Sequence, residues 1–437
     1  MENAELAIAT SSTHERHAMA SIARAVRDVP FYAKHRDAIA RAASLDEMLA
    51  ALPLLFKKDV RRALPKQWVP AGRDVRADLE SGALEIVETS GSTEDRLNVL
   101  WDRGWWLHQE ERAMRTNPLV NRAISGGLGP YQESILTTPV CGGGQCHIGD
   151  LTYDERVEDN HLFLNMRADP TFWRDDDMTR MLDEIERHHT VGLEADPAYL
   201  AALALHAEKI GRRVAVSGFV QLTYASTTRA HLRSIRRAYD GPIFQLYGAS
   251  EVGVLFMEGD DGRLHHSPIT THVELLRARV ETPGTKDVAL VVVTTLDRIA
   301  QPLLRFVVGD LVSVDFRGPR KFTPVAPLRS IEGRLQDAIV RPDGAIVTTG
   351  AIDRALDALD AIETFQVRQS APHAVDVDVV TRAPAIEDDV KRALAPLFGD
   401  LDTNVRRVTA VAAEPSGKFR VCKREFAIDL ASAFEIA

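Results

Sequence analysis

The chain has 437 residues, with 53 Lys and Arg against 63 Asp and Glu, a formal net charge of −10 at pH 7. That length accommodates about two to four domains around substantial cores. A 45% apolar and 27% charged make-up excludes disorder, collagen-like structure and a coiled coil. The acidic balance argues against nucleic acid as a partner, since neutralising phosphates needs clustered Lys and Arg, and against an anionic lipid surface.

Three cysteines (Cys141, Cys146 and Cys422) are too few to staple a chain of this size and read as reduced thiols. The opening stretch MENAELAIATSSTHERH has no basic segment followed by an apolar one, so no signal peptide is expected. The most apolar run, at 288–296, is about half as long as a membrane span and reads as a buried strand. A cytoplasmic protein with no membrane partner is the resulting expectation.

In chain order, 14–50 reads as helices with a turn at Val29 to Tyr32, because apolar residues recur at three- and four-residue spacing. Residues 51–62 read as a turn leading into another helix. A short strand is expected at 84–88, followed by the small-residue run TSGST and a helix over 101–116. From about 130 to 320, strand-like runs (134–140, 214–226) alternate with helix-like ones (178–189, 198–211, 229–240), the pattern of a mixed α/β body. The β-branched stretch 286–314 reads as two strands joined by the turn DRIAQP. Beyond 333 come two short strands around the turn RPDG, a helix over 352–362 and the alternating strand AVDVDVV, a pattern suited to a small C-terminal domain.

Five segments carry the chemical signals. Thr89, Ser90, Gly91, Ser92 and Thr93 follow a strand and offer hydroxyl and N–H donors on a backbone that a phosphate can approach. They lack the G-K-[ST] ending of a P-loop, and an ordinary loop has the same composition. At the end of an apolar strand, Tyr247, Gly248, Ser250 and Glu251 supply a ring for a base, a glycine turn and a carboxylate for Mg²⁺; a strand-end turn with a solvated Glu reads equally well. Asp310 follows Gly309 at a strand end, where it could bind both ribose hydroxyls or simply sit in a β-turn. Gly333 to Asp337 mark the proposed domain boundary. Lys418, on the Gly-containing loop Ser416 to Arg420, could swing a positive charge into a site or be a solvated surface lysine.

In their order and spacing these five segments resemble the adenylate-forming ligase superfamily, and in detail its phenylacetate–CoA ligase-like branch with the related capsule-biosynthesis proteins. Residues 28–32 (DVPFY), 52–60 (LPLLFKKDV), 262–276 (GRLHHSPITTHVELL) and the stretch 337–369 look like further signatures of that branch, so the likeness runs nearly end to end. It implies a large mixed α/β adenylation domain over 1–333 and a small, mobile α+β lid domain over 334–437. It implies ATP- and Mg²⁺-dependent activation of a small organic acid, aromatic by analogy, as an acyl-adenylate, followed by acyl transfer to a nucleophile. Carried over by position, Ser90 to Thr93 would hold the β- and γ-phosphates, Tyr247 would stack on adenine, and Glu251 would hold Mg²⁺. Asp310 would bind the ribose hydroxyls with Arg334 assisting, and Lys418 would reach the carboxylate and the α-phosphate. Gly142, Gly143 and Gly144 match a glycine-rich wall of the acyl pocket, and Tyr199 lies in a segment that neighbours it.

Three departures stand out. The phosphate loop continues Glu94-Asp95-Arg96 where relatives have Gly-x-Pro, Gln336 replaces a commonly acidic boundary residue, and RPDGAIV replaces a glycine-bearing loop of many CoA ligases. The acceptor therefore stays open among CoA, an amine, a hydroxyl and a carrier-protein thiol. An amide- or ester-forming ligase without CoA and a nucleotide-binding relative without turnover are the alternative readings. Cys141, Cys146 and His147 lack metal-site spacing. Asp196 reads as a helix cap, His188, His189, His265 and His266 as structural, and Trp101, Trp105 and Trp106 as packing.

Overall fold

The computed structural model describes residues 11–62, 64–89, 97–139, 147–167, 169–279, 287–315, 327–429 and 433–434. The N-terminal region forms the helices α1 (Ser11–Asp28), α2 (Arg36–Arg41), α3 (Leu45–Ala50), α4 (Lys57–Arg61) and α5 (Val75–Glu80). On α1, Ala18, Ile22, Ala25 and Val26 are buried, the helical spacing seen in the sequence. Ser44 caps α3 by accepting the Glu47 N–H. In the turn after α1, the Tyr32 hydroxyl donates to Pro302 O and accepts the Leu304 N–H, each at 3.1 Å, which ties the helices to the body.

The strands β1 (Leu84–Glu88) and β2 (Asn98–Asp102) pair as a hairpin, followed by α6 (Trp105–Met114) and α7 (Pro118–Ile124). Then comes an eight-stranded sheet built from β3 (Glu133–Leu136), β4 (Val157–Glu158), β5 (His161–Phe163), β6 (Gly192–Ala195), β7 (Phe219–Leu222), β8 (Ile243–Ala249), β9 (Gly253–Glu258) and β10 (Leu264–His266). Its order is β10-β9-β8-β7-β6-β3-β5-β4, and the run from β8 to β5 is parallel. The crossover helices α8 (Asp175–Arg187), α9 (Pro197–Lys209) and α10 (Arg229–Ala238) bury Met181, Ile185, Leu200, Leu203 and Ile235 against one face. Residues of α6 and α7 pack with Phe219 and Phe244 on the other face. The strand expected over 214–226 shrinks to β7, because Tyr224 takes a left-handed φ of 70° that no regular strand accommodates. The one expected over 134–140 starts a residue earlier and stops at Leu136.

A four-stranded antiparallel sheet follows, of β11 (Thr271–Arg277), β12 (Val288–Thr295), β13 (Phe306–Ser313) and β14 (Ser330–Arg334). Along β12, Ala289, Val291 and Val293 join the core shared with the N-terminal helices, while Leu290 and Val292 join a second core on the opposite face. A strand covered on both sides explains the unbroken apolar run at 288–296.

The C-terminal part holds the short hairpin β15 (Ile339–Val340) and β16 (Ile346–Val347), helix α11 (Thr349–Leu356), and the sheet β19-β18-β17-β20. That sheet comprises β17 (Ile362–Ala371), β18 (Ala374–Thr381), β19 (Asp402–Arg407) and β20 (Cys422–Arg424), with α12 (Glu387–Phe398) between β18 and β19. It has its own core, in which Val367, Val377, Leu394 and Cys422 are buried. The helix expected over 352–362 begins earlier and ends at Leu356, and Ile362 already starts β17. Asp357 caps its end and is drawn outward, since its carboxylate takes Arg229 and Arg233 of α10, each at 2.6 Å. Arg229 also gives its backbone N–H to Asp353 at 2.9 Å. The C-terminal part is thereby docked on α10 of the large body.

Candidate active site

Tyr247 sits near the end of β8, and its hydroxyl donates to Asp310 Oδ2 at 2.9 Å. Asp310 faces Arg334 across the β13–β14 pair, with Arg334 Nε 3.6 Å from its Oδ1. Burial pushes the Asp310 carboxyl upward, with Arg334 opposing, and burial also keeps the Tyr247 phenol neutral and able to donate. Tyr247 stacks on Phe256 at 5.9 Å between centroids. A Cβ on Gly248 would lie 2.8 Å from Gly253 O, so the close approach of β8 and β9 requires glycine there.

Past the strand end, Ser250 O accepts the Trp101 indole N–H at 3.0 Å. The Glu251 carboxylate, only 6% exposed, meets Lys57 Nζ at 3.1 Å, and its backbone carbonyl accepts from Arg298. Arg298 is completely buried, also donates to Leu100 O at 2.7 Å, and is pulled down to about 10 by burial.

Lys418 arrives from the C-terminal part. Its loop turns at Gly417, whose φ is 80°, and is closed by the Gly417 N–H to Glu414 O at 2.7 Å. The Tyr199 hydroxyl donates to Gly417 O at 2.7 Å, and the Phe419 ring packs edge-on against Tyr199. Lys418 Nζ donates to Tyr224 O at 3.2 Å. Burial pulls the Lys418 ammonium down to about 8, Arg334 adds to that, and the carboxylates of Asp196, Glu251 and Asp310 oppose it. Residues 196, 251, 310, 334 and 418 thus share one electrostatic environment. Asp196 caps α9 as expected, accepting the Ala198 N–H at 2.9 Å, and its burial raises it to about 6. Arg420 is ion-paired with Asp337, so the fourth and fifth segments meet as well.

Ser90, Gly91, Ser92, Thr93 and the following Glu94 to Arg96, like Cys141, Gly142, Gly143, Gly144 and Cys146, lie outside the described residues. Thr89 is buried, and its Oγ1 accepts the Leu97 N–H at 3.0 Å. His266 is held neutral by burial, pulled down to about 3, and contacts Phe256. The tryptophans pack, with Trp101 and Trp106 stacked at 4.9 Å.

Sequence reasoning passed over Lys57, although it lies in LPLLFKKDV, and took Asp196 only as a cap. It also missed Glu110, Glu133 and Glu194. The visible signal for Glu194 was an acidic residue inside an otherwise apolar strand. Among the described residues no group of three or more His, Cys, Asp or Glu is arranged to hold a metal ion. A divalent cation at Glu251 would therefore rest on that single carboxylate plus phosphate oxygens, the oxygen-rich, protein-poor coordination that Mg²⁺ accepts.

The chain superimposes on the crystal structure of 2-hydroxyisobutyryl-CoA ligase in the postadenylation state with R3-HIB-AMP, with a TM-score of 0.65 at 14% identity over 93% of this chain and 87% of that one. On the same ligase with 2-HIB-AMP and CoA in the thioesterification state the TM-score is 0.52, at 16% identity over 95% and 91% of the two chains. The amide bond synthetase McbA from Marinactinospora thermotolerans matches with a TM-score of 0.50 at 16% identity, over 80% of this chain and 69% of that one. At such identities the likeness establishes the fold, a large mixed α/β body with a C-terminal sheet domain. No family model matches the chain, and no curated protein does.

Proposed function

We propose that this chain is a carboxylate-adenylating ligase. It would use ATP and Mg²⁺ to convert a small carboxylic acid, aromatic by analogy, into an acyl-adenylate, and then pass the acyl group to a nucleophile. The observation that carries the reading is the docking of Lys418, from the far end of the chain, into the field of Glu251, Asp310 and Arg334.

The chemistry follows from charge. In the first step a carboxylate oxygen attacks the α-phosphorus and the bond to pyrophosphate breaks, so two anions must approach. A lysine ammonium, partly stripped of water, offsets that repulsion more strongly than one in bulk solvent. The Asp310 carboxylate would accept the two ribose hydroxyls, with Tyr247 and Arg334 fixing its orientation. Tyr247 would supply the ring beside the base, and Thr89 to Thr93 would cover the outer phosphates. Mg²⁺, held through Glu251, would supply neutralisation of phosphate charge, and Lys57 would relinquish its contact with that carboxylate as the cation binds.

The lid, taken as 334–437, would turn after adenylation to admit the acceptor. The better superposition on a postadenylation structure than on a thioesterification one supports a C-terminal part placed here as it is before acyl transfer. CoA, an amine, a hydroxyl and a carrier-protein thiol remain the candidate acceptors, because the two kinds of neighbour named above differ on this point and RPDGAIV at 341–347 departs in sequence from the glycine-bearing loop of many CoA ligases. We place the reaction in the cytoplasm.

The test is pyrophosphate release with ATP and Mg²⁺ across a panel of carboxylic acids. Lys418→Ala is expected to lower that release by ~10²–10³-fold while leaving nucleotide binding largely intact. Mass analysis after adding CoA or amines identifies the acceptor. If ATP binds and no acid releases pyrophosphate, the chain is a nucleotide-binding relative without turnover.

A further inference from the structure

Next to the Lys418 contact, one face of the eight-stranded sheet carries a group of acids that adenylation chemistry does not use. Glu133 of β3 lies opposite Gly192 of β6, and Glu194 of β6 lies opposite Gln221 of β7, so Glu133 and Glu194 share a face. Helix α6 covers this face and contributes Glu110, whose carboxyl lies close enough to that of Glu194 for the two to repel. Glu133 and Glu194 are each 7% exposed and Gln221 is 0% exposed. The Tyr224 hydroxyl donates to Glu194 Oε1, and Gln221 Nε2 donates to Glu194 Oε2 at 3.0 Å. His161 Nε2 lies 3.4 Å from Glu133 Oε2.

Two features show that the group is incomplete. Three carboxylates face one imidazole, and the further donors beside them, the Tyr131 hydroxyl near Glu133 and the Trp106 indole near Glu110, are neutral. Even with a proton shared between Glu110 and Glu194, negative charge remains buried without a matching cation, which proteins tolerate poorly. Burial, followed by the carboxylates' mutual repulsion, pushes both Glu110 and Glu194 upward. Independently, Gln221 Oε1 is buried with no hydrogen-bond donor, although the same amide reaches Glu194 through its nitrogen. The missing component is therefore a donor, and a positive one. The cluster is not arranged as a metal site among the described residues.

Tyr224 fixes where this donor lies relative to the chemistry. Its carbonyl takes Lys418 Nζ and its hydroxyl takes Glu194. One tyrosine residue, held in a strained left-handed conformation at φ 70°, thus spans the interval between the lysine and the acids.

We propose that the three glutamates and Gln221 form the distal end of the acid-binding site, and that the acid activated by this chain carries a protonated amine remote from its carboxylate. The inference rests on the adenylating-ligase reading and deepens it. The carboxylate lies at Lys418, a spacer about as long as a tyrosine side chain follows, and the ammonium donates to Glu194, Glu133 and Gln221 Oε1.

The probes are para-(aminomethyl)benzoate and ε-aminocaproate, each beside the isostere that ends in a methyl group, para-ethylbenzoate and heptanoate. Calorimetric binding to the full chain is measured without ATP, and pyrophosphate release with it. At least one amine is expected to bind about 10²-fold more tightly than its isostere, since a site built of buried acceptors rejects a ligand that leaves them unpaired. Glu194→Gln, of equal size, should erase most of that preference, with the melting curve as the check on folding. Equal or tighter binding of both isosteres overturns the inference. Pyrophosphate release by the isosteres alone also overturns it and leaves the ligase reading standing. Amine-selective binding with no pyrophosphate release from any acid leaves the amine-binding end of the site standing but overturns the claim that the bound acid is activated, together with the ligase reading.

Discussion

At the scale of single residues, Lys418 is the most exposed to test. A lysine pulled down to about 8 by burial is protonated below that pH and neutral above it. Adenylation needs the ammonium, so kcat/KM for pyrophosphate release, which reports the free enzyme, should fall as pH rises through about 8. A profile that stays flat into the ordinary lysine range would show that Lys418 is not the charge being used. Lys57 belongs to the same scale. Its contact with Glu251 at 3.1 Å keeps a buried carboxylate neutralised, the role a divalent cation would take in the proposed reaction.

At the scale of elements, Arg305 ties the N-terminal helices to the β11–β13 sheet. It adopts a positive φ of 52°, pairs with Glu274 at 3.0 Å, and donates to Leu49 O and Leu52 O at 3.0 and 2.7 Å. Both partners of the ion pair are buried. Removing one strands the other, at a cost of ~3–5 kcal/mol. Urea unfolding of Arg305→Ala should show that loss; one below about 1 kcal/mol would mean that water or a neighbour replaces the guanidinium. The Arg305 contacts are those of a structural clamp.

At the scale of the whole molecule, the C-terminal part is held on the body by half-exposed ion pairs from Arg229 and Arg233 to Asp357 and by the Tyr199–Gly417 hydrogen bond. Such pairs contribute ~0–1 kcal/mol each, which suits the lid movement proposed above. Asp357→Ala should therefore shift the thermal midpoint by no more than about 2–4 °C. It should slow pyrophosphate release several-fold, because the lysine loop is less often docked. A midpoint drop as large as that of Arg305→Ala would instead make Asp357 part of the fold. Leu335, Ala338 and Ile346 pack with Leu290, Val292 and Leu311, so a lid swing that begins at Gly333 has to exchange that apolar contact for another.

The sequence by itself determined the layers and singled out the residues that the proposed nucleotide site uses. Periodicity is local, and it marked α1, α8–α10, β12 and β13 because burial on one stripe or on both faces leaves a pattern readable in a few residues. Motif spacing singled out Tyr247, Glu251, Asp310 and Lys418. Element ends were misjudged where a non-local contact intervened, as at Tyr224, held between Lys418 and Glu194, and at Asp357, drawn to α10. Only the tertiary structure paired Lys57 with Glu251 and gathered Glu110, Glu133 and Glu194 behind Tyr224. These residues come from separate strands and helices, and a carboxylate's partner depends on which elements are neighbours in space, which no local pattern encodes.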